Sequence, residues 1–255
     1  MSPLPVIEHI WVVEAMIVSY NHVYKVVHNT KYHDLGAIGV SDYADAPIAS
    51  FQIEFLALDD DPLKVVEAIT KYGVDGRKYV LDVFHGKPSP REIKAKYSEL
   101  GLEFIRTGPI LGREISLPVR GEVAAHIKKV ETKEKLDEAN SQLKTENEMI
   151  PVESLSDPHI HNFVAEWNGR IVGWVQLVTI HPGVGYINQL YTMMDYRDNH
   201  IGTSLMTSAH LECVSRNIRR MALVSSDMAL GLCRRLGYRP LAYFTVFRPK
   251  ENDPT

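Results

Sequence analysis

An α+β protein built on a mixed β-sheet follows from three features of this 255-residue chain. Asn168-Gly169 separates two apolar runs. Asn-Gly is the strongest short hairpin signal, because a type I′ turn needs positive φ at both central residues. From Arg197 to Arg216 the apolar period changes, and Ile201, Leu205, Ala209 and Cys213 recur every fourth residue, as on one buried helix face. Met221 to Val224 is then a short continuous apolar run, the pattern of a buried parallel strand.

The other elements fall into order around these. Val6 to Tyr20 is apolar and reads as a helix or a strand. Ala49 to Leu58 is a candidate strand, Pro62 to Tyr72 a helix, Lys78 to Phe84 a strand, and Pro90 to Leu100 a helix followed by Gly101 and a strand around Glu103 to Arg106. Pro118 and Gly121 punctuate the chain, and a boundary at 118/119 divides it into domains 1–118 and 119–255. His126 to Val130 reads as a short strand. Glu131 to Glu148 is a charged run with Leu136, Ala139 and Leu143 at helical spacing, a solvated amphipathic helix. After a loop over Pro151 to His161 come the hairpin strands Phe163 to Trp167 and Arg170 to Thr179, a turn at His181-Pro182-Gly183, and a strand from Tyr186 to Met193. The last helix, around Ala229 to Leu236, ends at Gly237, and Leu241 to Phe247 is a final aromatic strand.

Composition limits the function classes. Hydrophobic residues make up 45% and charged residues 24%, which excludes a disordered chain, a collagen and a disulfide scaffold. The net charge of -4 argues against a nucleic-acid surface over the whole protein. Ile10 to Tyr20 is interrupted by Glu14 and falls short of the about 20 apolar residues a membrane span needs. Two lone cysteines, Cys213 and Cys233, fit a reducing compartment, so a cytoplasmic protein is expected.

Chemistry concentrates where the Tyr186 to Met193 strand meets the following helix. The first helical N–H groups have no partner in the helix and carry partial positive charge, so this junction can hold a phosphate. Gly202 lets backbone approach, and Arg197 adds a charged contact. His159-x-His161 lacks a carboxylate or cysteine at matching spacing and reads as loop, so no metal is expected. Arg216, Arg219 and Arg220 form a basic cluster at a helix end, which reads as a contact for a cofactor phosphate or an acidic partner face, or as a favourable charge placement there.

The order of these pieces resembles the GNAT superfamily of acyl-CoA-dependent N-acetyltransferases, from His126 to Arg248. Asn168 to Trp174 looks like the family's D/N-G-x-hydrophobic-V/I-G hairpin. Arg197 to Gly202 looks like its R/Q-x-x-G-x-G/A pyrophosphate loop, and Ala229 to Tyr238 like its A-x-x-F/L-Y-x-x-x-G-F/Y helix. The resemblance implies acetyl-CoA as donor, with no metal. It implies pantetheine contacts from backbone of Thr192, Met193 and Met194. It implies phosphate contacts from Arg197, Asp198, Asn199, His200, Ile201, Gly202 and Thr203, and a cofactor contact from Ser226. A neutral primary amine, of a small molecule or a protein, would attack the thioester directly.

Three positions depart from the family pattern. The family's frequent acid, a tyrosine, aligns with Cys233; a thiol, with a reference pKa of about 8.5, can donate a proton, although a cysteine on the apolar face of Ala229, Leu232 and Leu236 also reads as core. The family's strand carboxylate is replaced at Tyr186 and Asn188, leaving Asn188 as the candidate catalytic side chain and His181, in the preceding turn, as a base or a plain turn residue. His200 stands in place of the first loop glycine. A regulatory acyl-CoA-binding module without turnover is therefore the rival to the enzyme, and a structural dimerising protein a third reading.

The first half looks like a worn copy of the second. Tyr97-x-x-x-Gly101-Leu102 echoes Cys233-x-x-x-Gly237-Tyr238, but Asp59-Asp60-Asp61 stands where a phosphate loop would be, suiting a helix cap and repelling pyrophosphate. A degenerate GNAT-like domain that binds no CoA is expected there, walling the acceptor site or making a homodimer contact, with Tyr97 structural.

Overall fold

The computed structural model describes residues 9–43, 51–88, 90–115, 124–143 and 149–250. Along them run α1 (Ile10–His28), β1 (Lys31–Asp34), β2 (Ile38–Asp42), β3 (Ile53–Ala57), α2 (Pro62–Tyr72), β4 (Tyr79–His85), α3 (Arg91–Glu99), β5 (Leu102–Glu114), β6 (His126–Lys129), α4 (Lys133–Leu143), β7 (Ile160–Trp167), β8 (Arg170–Val178), β9 (Val184–Thr192), α5 (Ile201–Ser215), β10 (Arg220–Val224), α6 (Asp227–Arg235) and β11 (Arg239–Pro249). The α+β expectation holds. No helix among the described residues is long and apolar enough to cross a membrane.

The chain divides into two compact units. The first holds Met1–Val13, His28–Ile110 and Pro240–Thr255; the second holds Glu14–Val27 and Leu111–Arg239. The boundary expected at 118/119 lies outside the described residues. Each unit takes a strand from the far half of the sequence. β11 closes the first unit's sheet, and the end of β5 runs beside β10 in the second.

In the first unit the strands lie in the order β1-β2-β3-β4-β11-β5. β3 and β4 are parallel, so the chain must cross over between them, and α2 is that crossover. Alternate residues Ile38, Val40, Phe55, Leu81 and Val83 face one side and pack on Val65 and Ile69 of α2 and Ile93 and Tyr97 of α3.

In the second unit the order is β10-β9-β8-β7-β6. β6 to β9 form an antiparallel meander, and β9 and β10 are parallel with α5 as crossover. The Asn168-Gly169 turn has both residues at positive φ, 49° and 77°. Leu205, Ala209 and Cys213 of α5 join Val175 and Leu177 of β8 in the core. A Cβ at Gly185 would collide with Cys213 Sγ, so α5 lies as close to β9 as a glycine allows.

Two features differ from expectation. β1 and β2 are a hairpin that no apolar alternation announces, because every residue of β1 is exposed. β5 extends beyond the expected Glu103 to Arg106, through Gly108 and Pro109; the Phe244 ring packs over Gly108, where a Cβ would come within 2.8 Å of it.

Candidate functional site

The site begins with a ladder that stops early. β9 pairs with β10 from Val184↔Arg220 to Ile187↔Leu223, while β9 itself runs on to Thr192. Along its other edge β9 stays paired with β8 as far as Thr192↔Gly173. That pairing passes from Gln176↔Gln189 to Leu177↔Ile187, which leaves Asn188 as the extra residue of a β-bulge. A bulge bends its strand and increases its twist, and here it marks where β9 leaves β10.

The free edge of β9 offers backbone hydrogen bonds. The Met193 N–H donates to Val172 O at 2.8 Å, so that N–H is committed to β8 and not open to a pantetheine arm. In an antiparallel pair alternate residues turn their polar groups to opposite edges, which points the N–H groups of Leu190 and Thr192 away from β8. Met194 is 66% exposed and lies outside the cleft lining.

The next segment leaves a helix start uncapped. Asp198 and His200 both adopt positive φ, 62° and 55°. His200 therefore holds the left-handed conformation that the glycine of the family pattern supplies without strain. The first α5 bond runs from Ser204 N–H to His200 O, no side chain caps the helix, and no acid lies in its first turn. The N–H groups of Ile201, Gly202 and Thr203 thus precede the helical ladder at its positive end. Asn199 Nδ2 donates to the carbonyls of Tyr196 and Arg197, tying the loop rather than lining the cleft. Arg197 Nε donates to Thr192 O at 3.2 Å and its Nη1 lies 3.8 Å from Met228 Sδ, so the guanidinium braces the end of β9. A Cβ on Gly202 would come within 2.9 Å of Leu232, so this glycine lets α5 and α6 approach.

A cleft of about 480 Å³ lies over these groups. It gathers Thr192, Arg197, Asp198, His200, Ile201, Gly202, Thr203 and Ser226 from the expected set. Ser226 Oγ also caps α6 by accepting from the Ala229 N–H at 3.3 Å. Leu190, Tyr191, Tyr196, Met228, Gly231 and Arg235 line it too and were not anticipated. Met228, Gly231 and Arg235 share one face of α6 at helical spacing, a signal the sequence does contain.

The candidate catalytic residues separate. Cys233 is 1% exposed, sits in the core with Leu236 and Tyr238, and does not line the cleft. Burial pushes its thiol pKa up, against release of a proton. Asn188 is half-buried at the bulge and donates to Gln176 Oε1 at 2.8 Å. His181 precedes the start of β9, about 26 Å of strand from its far end at Thr192. The two histidines of His159-x-His161 diverge: His159 packs on His22, while His161 is buried against Thr179 Oγ1 and Glu212. Burial, aided by the charge of Arg216, lowers the His161 pKa to about 4. Arg216 is paired with Glu212 at 2.8 Å and Arg220 with Glu114 at 3.9 Å, so two members of the basic cluster act within the fold.

The sequence model of the acetyltransferase (GNAT) family matches residues 125–238. Residues 125–238 are a GNAT-family domain. The match ends just before β11 and spans the cleft and both helices beside it. Solved structures extend the likeness of fold over most of the chain. A GCN5-related N-acetyltransferase from Kribbella flavida has a TM-score of 0.68 at 16% identity, covering 93% of this chain and 96% of that one. A conserved protein of unknown function from Staphylococcus epidermidis ATCC 12228 has a TM-score of 0.64 at 14% identity, covering 89% and 97%. A tandem GNAT protein from the clavulanic acid biosynthesis pathway has a TM-score of 0.56 at 11% identity, covering 85% and 79%. No curated protein matches the sequence.

Proposed function

We propose that the chain transfers an acetyl group from acetyl-CoA to a primary amine by direct attack. The observation that carries this is the open edge of β9 beside the uncapped start of α5. The pantetheine arm would extend the sheet where β10 departs, taking hydrogen bonds from Leu190 and Thr192. The diphosphate would lie on the N–H groups of Ile201, Gly202 and Thr203. Arg197 and Arg235 supply the cleft's guanidinium charges. The amine nitrogen attacks the thioester carbon, the C–S bond breaks, and the thiolate of CoA takes up a proton while the new amide loses one. The N-terminal unit would be a GNAT-like copy that binds no CoA.

One observation favours a binding module without turnover. Among the described residues lining the cleft, Asp198 is the one carboxylate, and it belongs to the phosphate loop. The two readings separate in one assay. The protein is incubated with acetyl-CoA and a panel of primary amines, and both free CoA thiol and acetylated amine are measured. Amine-dependent release of both supports the enzyme; donor binding with neither product supports the module.

A further inference from the structure

Arg197 links the two sides of the cleft. Its Nε donates to Thr192 O at 3.2 Å on the β9 side, and its Nη1 lies 3.8 Å from Met228 Sδ on the α6 side. All three residues line the cleft. The α6 end of this link is a thioether in the open. Met228 is 78% exposed, more than any other methionine among the described residues. Met149 and Met194 are also exposed but do not line the cleft, and Met16, Met193, Met206 and Met221 are buried. One methionine therefore combines access to solvent, a place in the cleft and a cation at its sulfur.

Those three properties give its oxidation a consequence. A thioether sulfur is a weak hydrogen-bond acceptor, whereas a sulfoxide is polar and its oxygen can take a charge-assisted bond from a guanidinium. We propose that Met228 is a reversible oxidation site for hydroperoxides, and that its sulfoxide closes the cleft to acetyl-CoA by tethering Arg197 to α6. The sulfur attacks one peroxide oxygen. The S–O bond forms as the O–O bond breaks, sulfur gives up two electrons, and from hydrogen peroxide the other oxygen leaves as water. Cys213 and Cys233 do not compete for the oxidant, because both are buried and burial raises both thiol pKa values, that of Cys213 to about 12. The proposal rests on the acetyl-transfer reading above, in which Arg197 supplies one of the cleft's guanidinium charges.

The test treats the full chain with dilute hydrogen peroxide and removes the peroxide. Peptide mass spectrometry then maps the added oxygen, and calorimetry measures acetyl-CoA affinity. Met228 should gain oxygen before the buried methionines, and affinity should fall by at least about tenfold as its sulfoxide forms, the worth of one hydrogen bond to a charged group. Methionine sulfoxide reductases with dithiothreitol should restore it. In Met228→Leu the same treatment should leave that variant's own affinity unchanged, although Met149 and Met194 are oxidised. In Arg197→Ala the sulfoxide should shift affinity by under about twofold, a readout that added bulk in the cleft would not give. Unchanged affinity in wild type carrying the Met228 sulfoxide overturns the proposal, as does an equal loss in Met228→Leu or in Arg197→Ala. Failure of the untreated chain to bind acetyl-CoA is a different result: it overturns the acetyl-transfer reading itself, and this proposal with it.

Discussion

Two strand-to-helix junctions in this chain have the same order and opposite chemistry. In the first unit β3 leads to α2 and β4; in the second β9 leads to α5 and β10. The β3–β4 ladder runs to the last residue of β3, at Ala57↔Val83, so no edge is left open. The β9–β10 ladder stops at Ile187↔Leu223, with the rest of β9 free on that side. The helix starts differ as well. Asp61 caps α2 by accepting from the Leu63 N–H at 3.0 Å, Pro62 removes a donor, and Asp59 accepts from the Asp61 N–H at 2.8 Å. α5 has no side-chain cap and no acid in its first turn. An acyl-CoA site therefore needs two local departures from ideal structure, a broken ladder and an unsatisfied helix end. The first unit has neither.

The largest effect expected from this contrast is at Gly202. Gly202→Glu places a carboxylate on the phosphate site and a side chain against Leu232, and should weaken acetyl-CoA by at least about a hundredfold, measured by calorimetry. Unchanged affinity would mean the cofactor lies elsewhere.

The units also differ in the sign of their pH response. In the second unit, burial lowers the His210 pKa to about 3 and the His161 pKa to about 4. The unfolded chain then binds these protons first, so this unit loses stability as pH falls from about 6.5 towards 4, by about 1.4 kcal/mol per pH unit for each histidine. In the first unit, the Glu54 and Asp82 carboxyls hydrogen-bond to each other and burial raises both pKa values. Here the folded state keeps the proton, and stability is lost as pH rises above the ordinary carboxylate range. Hydrogen exchange resolved by residue should show protection around His161 and His210 falling on the acid side and protection around Glu54 and Asp82 falling on the alkaline side. The same trend in both units would refute these assignments.

Asp61→Ala should cost about 1 kcal/mol of stability by chemical denaturation and confer no CoA binding, because the β3–β4 ladder stays closed. Gain of CoA binding would show that the cap alone excludes the ligand. The smallest effect is at His200. His200→Gly relieves a positive φ and should leave acetyl-CoA affinity within a few-fold, with stability changed by under about 1 kcal/mol. A large loss would give the imidazole a direct role in binding.

Local chemistry was legible in the sequence, and long-range pairing was not. The Asn168-Gly169 turn and the α5 stripe each depend on residues close in sequence, and each formed as expected. The bulge at Asn188 depends on the register between β8 and β9, which the composition of β9 does not encode. The strands exchanged between halves, β11 and the end of β5, pair with partners far along the chain. Cys233 could be read as core or as acid from its spacing, and its 1% exposure places it in the core. Tyr97, aligned with the family tyrosine, is fully buried against Phe247, and its hydroxyl has no hydrogen-bond partner among the described residues, in keeping with a packing role.

The most direct test of the contrast between the junctions is the stoichiometry of acetyl-CoA binding by the intact chain, measured calorimetrically. One equivalent per chain at micromolar affinity is the predicted result, with the open β9 edge as its site. Two equivalents would show that the closed junction also binds, and no binding would show that the open one does not; either would contradict the account.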